Sequence, residues 1–94
     1  MNEIELKRGT NGRGRFVIEE DGEVLAEMDF GITDDRMTIF HTEVSKKLAG
    51  QNIGKKLIAE MAAYAREHHL KVIPLCAFVN AQFNRHPELY EDIR

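Results

Sequence analysis

The sequence predicts an α+β fold with the order β-β-β-β-α-β-α, in which four antiparallel strands precede a helix, a fifth strand and short C-terminal helices. Two observations support this prediction. Apolar residues alternate with polar ones up to Val44, and from residue 53 to 68 they recur at spacings of three and four. The first period is typical of strands with one buried face, and the second of an amphipathic helix. We therefore expect a mixed sheet with helices packed on it.

The first half of the chain is expected to form four strands joined by short turns. They are predicted around residues 4–6, 16–19, 24–30 and 37–44. Asp21-Gly22 lies between two alternating segments, and Asp-Gly in that position is a strong hairpin signal. The sequences RGTNGRGR and GITDD supply the other two turns.

The second half is expected to contain a helix over residues 53–68 and a buried strand in the apolar run KVIPLCAFV, residues 71–79. Pro74 cannot donate a ladder hydrogen bond, so strand pairing must lapse at that residue. The sequence AQFNR is compatible with a short helix. Pro87 suits the first position of a final helix that ends near Tyr90.

Length and composition indicate one globular domain over residues 1–94. A chain of this size buries roughly two-thirds of the surface that its unfolded form exposes. A formal net charge of −3 gives no general attraction to nucleic acid or to an anionic membrane, and no apolar run is long enough to span a bilayer. One cysteine forms no intrachain disulfide, which favours the cytoplasm, and with four scattered histidines it argues against a structural zinc site.

The positive charge is concentrated around a glycine-bearing turn, although the whole chain is acidic. One continuous helix through this region would place Gly50 and Gly54 in its interior, each costing about 1 kcal/mol relative to Ala. A loop followed by a helix start is therefore favoured. The unpaired N–H groups and the dipole of a helix start attract anions. A phosphate-bearing ligand and a solvated, lysine-rich loop both remain open interpretations of Lys46, Lys47, Lys55 and Lys56.

Four segments in order resemble a small branch of the GNAT acetyltransferase superfamily: HTEV, LAGQNIGKKL, YAREHHLKVIPLCAFV and HPELYED. The resemblance extends from about residue 16 to residue 89. It implies an N-acetyltransferase that moves acetyl from acetyl-CoA to an amine. The chain lacks the early helices that wall the acceptor site in full-size members, so we expect an open acceptor side that suits an amine of a protein or peptide.

The resemblance also implies a CoA site. Backbone N–H groups of the loop and helix start would hold the pyrophosphate, while the fourth strand would pair with the pantetheine arm across a gap from residues 71–78. The residues implied are His41, Thr42, Glu43, Val44, Gly50, Gln51, Asn52, Ile53, Gly54 and Lys55. The chain departs from the superfamily pattern at Ala49 and Asn52, where Gln or Arg and a first Gly are expected.

Cys76 is the candidate catalytic residue of the small branch. By residue type alone, a single cysteine is most often a buried core thiol, so both interpretations remain open. His41 could act as a base or orienting partner, or be a half-buried strand histidine. Glu43 could accept a proton from an amine, or be a solvated charge. Phe83 stands where many relatives place a catalytic tyrosine.

Two classes of function follow. The first is an acetyl-CoA-dependent N-acetyltransferase. The second is a non-catalytic module for CoA binding or protein interaction that is derived from the same fold. Ala49, Asn52 and Phe83 favour the second class, whereas Cys76 and the otherwise matching motif favour the first.

Overall fold

Five strands form one sheet in the order in which they occur in the chain. The computed structural model describes residues 3–94. The strands are β1 (Glu5–Arg8), β2 (Arg13–Glu20), β3 (Glu23–Thr33), β4 (Arg36–Val44) and β5 (Lys71–Pro74). Neighbouring strands from β1 to β4 are antiparallel, while β5 runs parallel to β4. The predicted α+β class and order of elements are confirmed.

Three helices accompany the sheet: α1 (Ile53–Glu67), α2 (Ala77–Arg85) and α3 (Pro87–Tyr90). Short 3₁₀ turns follow β4 and α3, over Lys46–Leu48 and Glu91–Ile93. The core lies between α1, α2 and one face of the sheet. Its fully buried side chains include Met28, Phe30, Leu57, Met61 and Phe83. The helix period predicted for residues 53–68 and the start predicted at Pro87 are thereby confirmed.

Backbone conformation explains why two turns have their sequences. Asp21 and Gly22 both have positive φ, at 52° and 80°. A two-residue hairpin turn with the twist of the flanking strands needs positive φ at both central positions, which Asp-Gly readily adopts. At the turn between β1 and β2, a Cβ on Gly12 would lie 2.2 Å from the carbonyl oxygen of Ile32, so only glycine fits.

The prediction of one strand over residues 71–79 is wrong for the second half of that segment. β5 ends at Pro74, and α2 begins at Ala77. The N–H of Leu75 donates to the carbonyl of Ile73 at 3.2 Å, so the chain turns out of the ladder directly after the proline. A helix start, not a continued strand, therefore lies opposite the end of β4. The segment AQFNR belongs to α2.

Within residues 3–94, no helix is both long enough and apolar enough to cross a membrane.

Candidate active site

β4 extends beyond its partner β5 and leaves a gap in the sheet. Pairing between the two strands runs from Arg36 opposite Lys71 to Ile39 opposite Pro74, and residues 40–44 of β4 have no partner in β5. The pairing of β4 with β3 shifts at the same place, so that Phe40 is an extra residue in β4. Such a bulge bends a strand and increases its local twist. The gap and the bulge together place the end of β4 beside the first turns of α1 and α2.

A cavity of about 400 Å³ occupies this gap. It is lined by Thr42, Val44, Leu48, Ala49, Gly50, Asn52, Ile53, Gly54 and Phe78. The residues come from β4, the following loop, the start of α1 and the start of α2. Six of the ten cofactor-binding residues suggested by the sequence are among them. The lining combines the apolar side chains of Val44, Leu48, Ile53 and Phe78 with the polar residues Thr42 and Asn52.

The start of α1 has unpaired backbone donors, and two of its residues, Ile53 and Gly54, line this cavity. Asn52 precedes the helix in the left-handed conformation, with φ of 56°, and its side chain makes no capping hydrogen bond. The N–H of Lys56 donates to the carbonyl of Asn52 at 3.1 Å. In the described chain, no acceptor is found for the N–H groups of Ile53, Gly54 and Lys55. A helix start of this kind is a ready site for an anion.

Most of the lysines around the loop have no acidic side chain that compensates their positive charge. Lys47 forms an ion pair with Glu23, at 2.8 Å between Nζ and Oε1. Lys46, Lys55 and Lys56 are exposed and form no ion pair within residues 3–94. The first turn of α1 contains no acidic residue. The electrostatic potential around the unpaired N–H groups is therefore positive.

Cys76 lies at the inner end of the gap, at the N-cap of α2 and not within a strand. Its N–H donates to the carbonyl of Ile39 at 2.9 Å, and its Sγ donates to Oγ1 of Thr42 at 3.3 Å. The residue is 8% exposed and belongs to the core cluster. Cys76 is not itself among the residues that line the cavity, and its thiol is connected to the cavity through Thr42, which does line it.

His41 and Glu43 lie on the other face of β4. Thr42 pairs with the buried Met28, whereas His41 pairs with Asp29 and Glu43 with Glu27. Since side chains alternate along a strand, those of His41 and Glu43 point away from the cavity. They are exposed and approach each other to 3.5 Å between Nε2 and Oε1. Gln51 and Lys55 also lie outside the cavity lining.

Asp29 is a titratable residue that sequence reasoning missed. Its Oδ1 is buried and has no hydrogen-bond partner within the described chain. Burial, together with the neighbouring carboxylate of Glu27, raises the pKa of Asp29 from 3.8 to about 6, while the charges of His41 and Arg15 oppose the shift. Its alternating position in β3 predicted only a strand residue on the polar face.

Leu48, Ala49 and Phe78 also line the cavity and are not among the ten residues suggested by the sequence. The sequence placed Phe78 across the gap, but in a strand and not at a helix start. Phe83, at the position of the expected tyrosine, is fully buried and stacks on Tyr90 with 4.6 Å between ring centroids. It is a core residue. Among residues 3–94, no group of three or more His, Cys, Asp or Glu side chains is placed to hold a metal ion.

The fold and the gap beside β4 define an acetyltransferase-like protein, and comparison with known families agrees. The family model of GCN5-related N-acetyltransferases matches residues 15–93. The chain therefore belongs to the GCN5-related N-acetyltransferase family. No match to the chain is found among curated proteins.

Solved structures share the fold. A GCN5-like candidate N-acetyltransferase from Staphylococcus aureus, solved by NMR, is 35% identical, with a TM-score of 0.73 over 99% of this chain and 89% of that one. A ribosomal-protein-alanine N-acetyltransferase from Brucella melitensis biovar Abortus 2308 is 21% identical, with a TM-score of 0.61 over 89% of this chain and 62% of that one. An IAA acetyltransferase from Bacillus cereus is 23% identical, with a TM-score of 0.56 over 67% of this chain and 43% of that one. The last two show the fold alone.

Proposed function

We propose that this protein is an N-acetyltransferase that moves acetyl from acetyl-CoA to an amine, with an amine of a protein or peptide as the expected acceptor. The observation that carries the proposal is the cavity of about 400 Å³ in the gap beside β4. Unpaired N–H groups border it at the start of α1, and Thr42, which accepts the thiol hydrogen bond of Cys76, lines it on β4. Family membership supports the same activity.

The residues of the cavity fit the parts of CoA. The N–H groups of Ile53, Gly54 and Lys55, with the exposed lysines nearby, would hold the pyrophosphate. The edge of β4 over residues 40–44, which β5 leaves free, would pair with the amides of the pantetheine arm. The walls formed by Val44, Leu48 and Phe78 suit its alkyl segments. The volume is within the range of small-ligand pockets and accommodates that arm, so the nucleotide would lie outside it.

Two chemical routes are compatible with the position of Cys76. In the first, the thiolate of Cys76 attacks the acetyl carbon, the bond to the CoA sulfur breaks, and the CoA thiolate takes up a proton. The acceptor amine then attacks the acetyl-cysteine and restores the thiol of Cys76. In the second route, the amine attacks the donor directly and Cys76 shapes the cavity. Both routes release one proton from the acceptor ammonium group.

The alternative, a CoA-binding module without turnover, is favoured by one observation. Cys76 is 8% exposed and its only side-chain hydrogen bond within the described residues is to Thr42. A thiol that never leaves this position would be a core residue beside a bound ligand. Ligand binding alone therefore does not separate the alternative from the enzyme.

The test has two stages. CoA binds the native state in either case, so a hundredfold excess over Kd should raise the free energy of unfolding by about 2.7 kcal/mol and increase Tm. An assay of CoA release from acetyl-CoA, with lysine-containing peptides and free N-terminal amines as acceptors, then separates enzyme from binder. An unchanged Tm at millimolar CoA contradicts both functions, whereas stabilisation without acetyl transfer supports the binding module.

A further inference from the structure

The tip of the Phe78 ring lies against Gly54. Phe78 is in the first turn of α2 and Gly54 is in the first turn of α1. A Cβ placed on Gly54 would lie 2.6 Å from Cζ of Phe78, 3.0 Å from Cε2 and 3.5 Å from Cε1. Distances below 3.0 Å do not occur for real Cβ atoms, so any side chain at position 54 would displace the ring. Glycine therefore lets the ring lie against the helix start, whatever ligand is bound.

The same contact borders the cavity. Gly54 and Phe78 both line it, and Phe78 is partly buried against the core. The N–H of Gly54 is one of the unpaired donors at the helix start. Because the ring belongs to the first turn of α2 and contacts the first turn of α1, it supports the orientation of that turn. No capping side chain does this, since Asn52 makes no capping hydrogen bond.

We propose that Phe78 is a positioning residue for the diphosphate of the donor, because its ring holds Gly54 and the neighbouring N–H groups in place at the cavity. This inference rests on the proposed function, in which CoA occupies the cavity. It assigns Phe78 more than the role of an apolar wall. A wall would contribute to binding of the pantetheine arm, whereas a positioning residue contributes to binding of the diphosphate.

The contact itself is tested without any ligand. A Gly54 Hα takes the place of the Cβ and points at the tip of the ring, so a nuclear Overhauser effect between this proton and the ring protons of Phe78 is expected and should be lost in Phe78→Leu. In urea unfolding, Gly54→Ala should lower the transition midpoint in the wild-type background and should not lower it in Phe78→Ala, where the space is free. An equal loss in both backgrounds would overturn the contact.

The positioning role is tested by comparing two ligands. Phe78→Leu should weaken CoA by about tenfold more than pantetheine, which lacks the diphosphate, because a misplaced N–H loses a charge-assisted hydrogen bond. Phe83→Leu is the matched control: it removes a fully buried ring from the same helix but does not touch Gly54. That variant should lose stability and keep the ratio of the two Kd values.

The outcomes separate this inference from the proposed function. Equal weakening of CoA and pantetheine by Phe78→Leu would make Phe78 a wall and overturn the positioning role, while leaving CoA binding intact. If wild-type protein binds neither ligand, the proposed function fails and the positioning role fails with it, although the Overhauser effect between Gly54 and Phe78 would still report the packing.

Discussion

The Sγ of Cys76 donates a hydrogen bond of 3.3 Å to Oγ1 of Thr42, which joins the start of α2 to the part of β4 that β5 leaves unpaired. Here the partner lines the cavity, so the bond connects a largely buried sulfur to the proposed donor site. Three predictions concern this site.

The first prediction concerns the covalent route through Cys76. Incubation with acetyl-CoA and no acceptor should add one acetyl group to the protein, because the thiolate can attack the acetyl carbon while no amine is present to accept the group. Intact-mass spectrometry measures the addition. The added mass should disappear when an acceptor peptide is supplied, and it should be absent in Cys76→Ser. Wild-type turnover in Cys76→Ala would leave direct attack by the amine as the remaining route.

The second prediction separates the role of the Thr42 hydroxyl from that of its methyl group. Thr42→Val keeps the volume and removes the acceptor of the thiol hydrogen bond, so acetyl transfer should fall while CoA affinity changes little. The free energy of unfolding should decrease by about 1 kcal/mol, the net value of one hydrogen bond. Thr38→Val is the matched control, because Thr38 lies in the same strand opposite Ile73 and away from the cavity. Equal loss of transfer in both variants would contradict the role assigned to the hydroxyl.

The third prediction compares two lysines beside the loop: Lys55, which forms no ion pair within residues 3–94, and Lys47, which is paired with Glu23. Lys55→Ala should weaken CoA by about two- to fivefold, the usual value of a charge near a helix end, and the loss should shrink as salt is added. Lys47→Ala should have a smaller effect, since the ion pair with Glu23 already compensates its charge. Titration calorimetry at low and high salt measures both. Equal effects of the two substitutions would contradict a specific role for Lys55.

Local chemistry made much of the fold predictable. The Asp21-Gly22 turn follows from a backbone requirement for positive φ that few residue pairs satisfy, and the structure shows that conformation. The helix from Ile53 to Glu67 follows from a period that only a helix with one buried face explains. Gly50 and Asn52, which end the preceding loop, both have positive φ, in agreement with a loop at this point and not a continuous helix.

Two features of the site could not be predicted, for physical reasons. The apolar run over residues 71–79 has no clear period, and a short run of this kind suits a buried strand and a buried helix equally well. The structure divides it between β5 and α2. The bulge at Phe40 also has no sequence signal, because it depends on how β3 and β4 pair. The approach of Gly54 to Phe78 and the environment of Asp29 are tertiary contacts of the same kind.

The last prediction concerns Asp29, whose carboxyl faces Arg15 from β2, Glu27 from its own strand and His41 from β4. Since its pKa is raised from 3.8 to about 6, the folded state holds this proton more tightly than the unfolded state. The stabilising contribution is complete below about pH 4 and is lost as the pH rises through 6.

Asp29→Asn should therefore become more stable relative to wild type as the pH increases from 4 to 7. The relative gain should be on the order of 1 kcal/mol, because solvent screening reduces the value for a partly exposed carboxyl. Urea unfolding at several pH values measures the difference. Asp21→Asn is the control, since Asp21 is exposed in a turn that asparagine also suits. If the free energy of unfolding depends on pH in the same way in Asp29→Asn and in wild type, Asp29 titrates alike in the folded and unfolded states. The burial of its Oδ1 then does not raise its pKa.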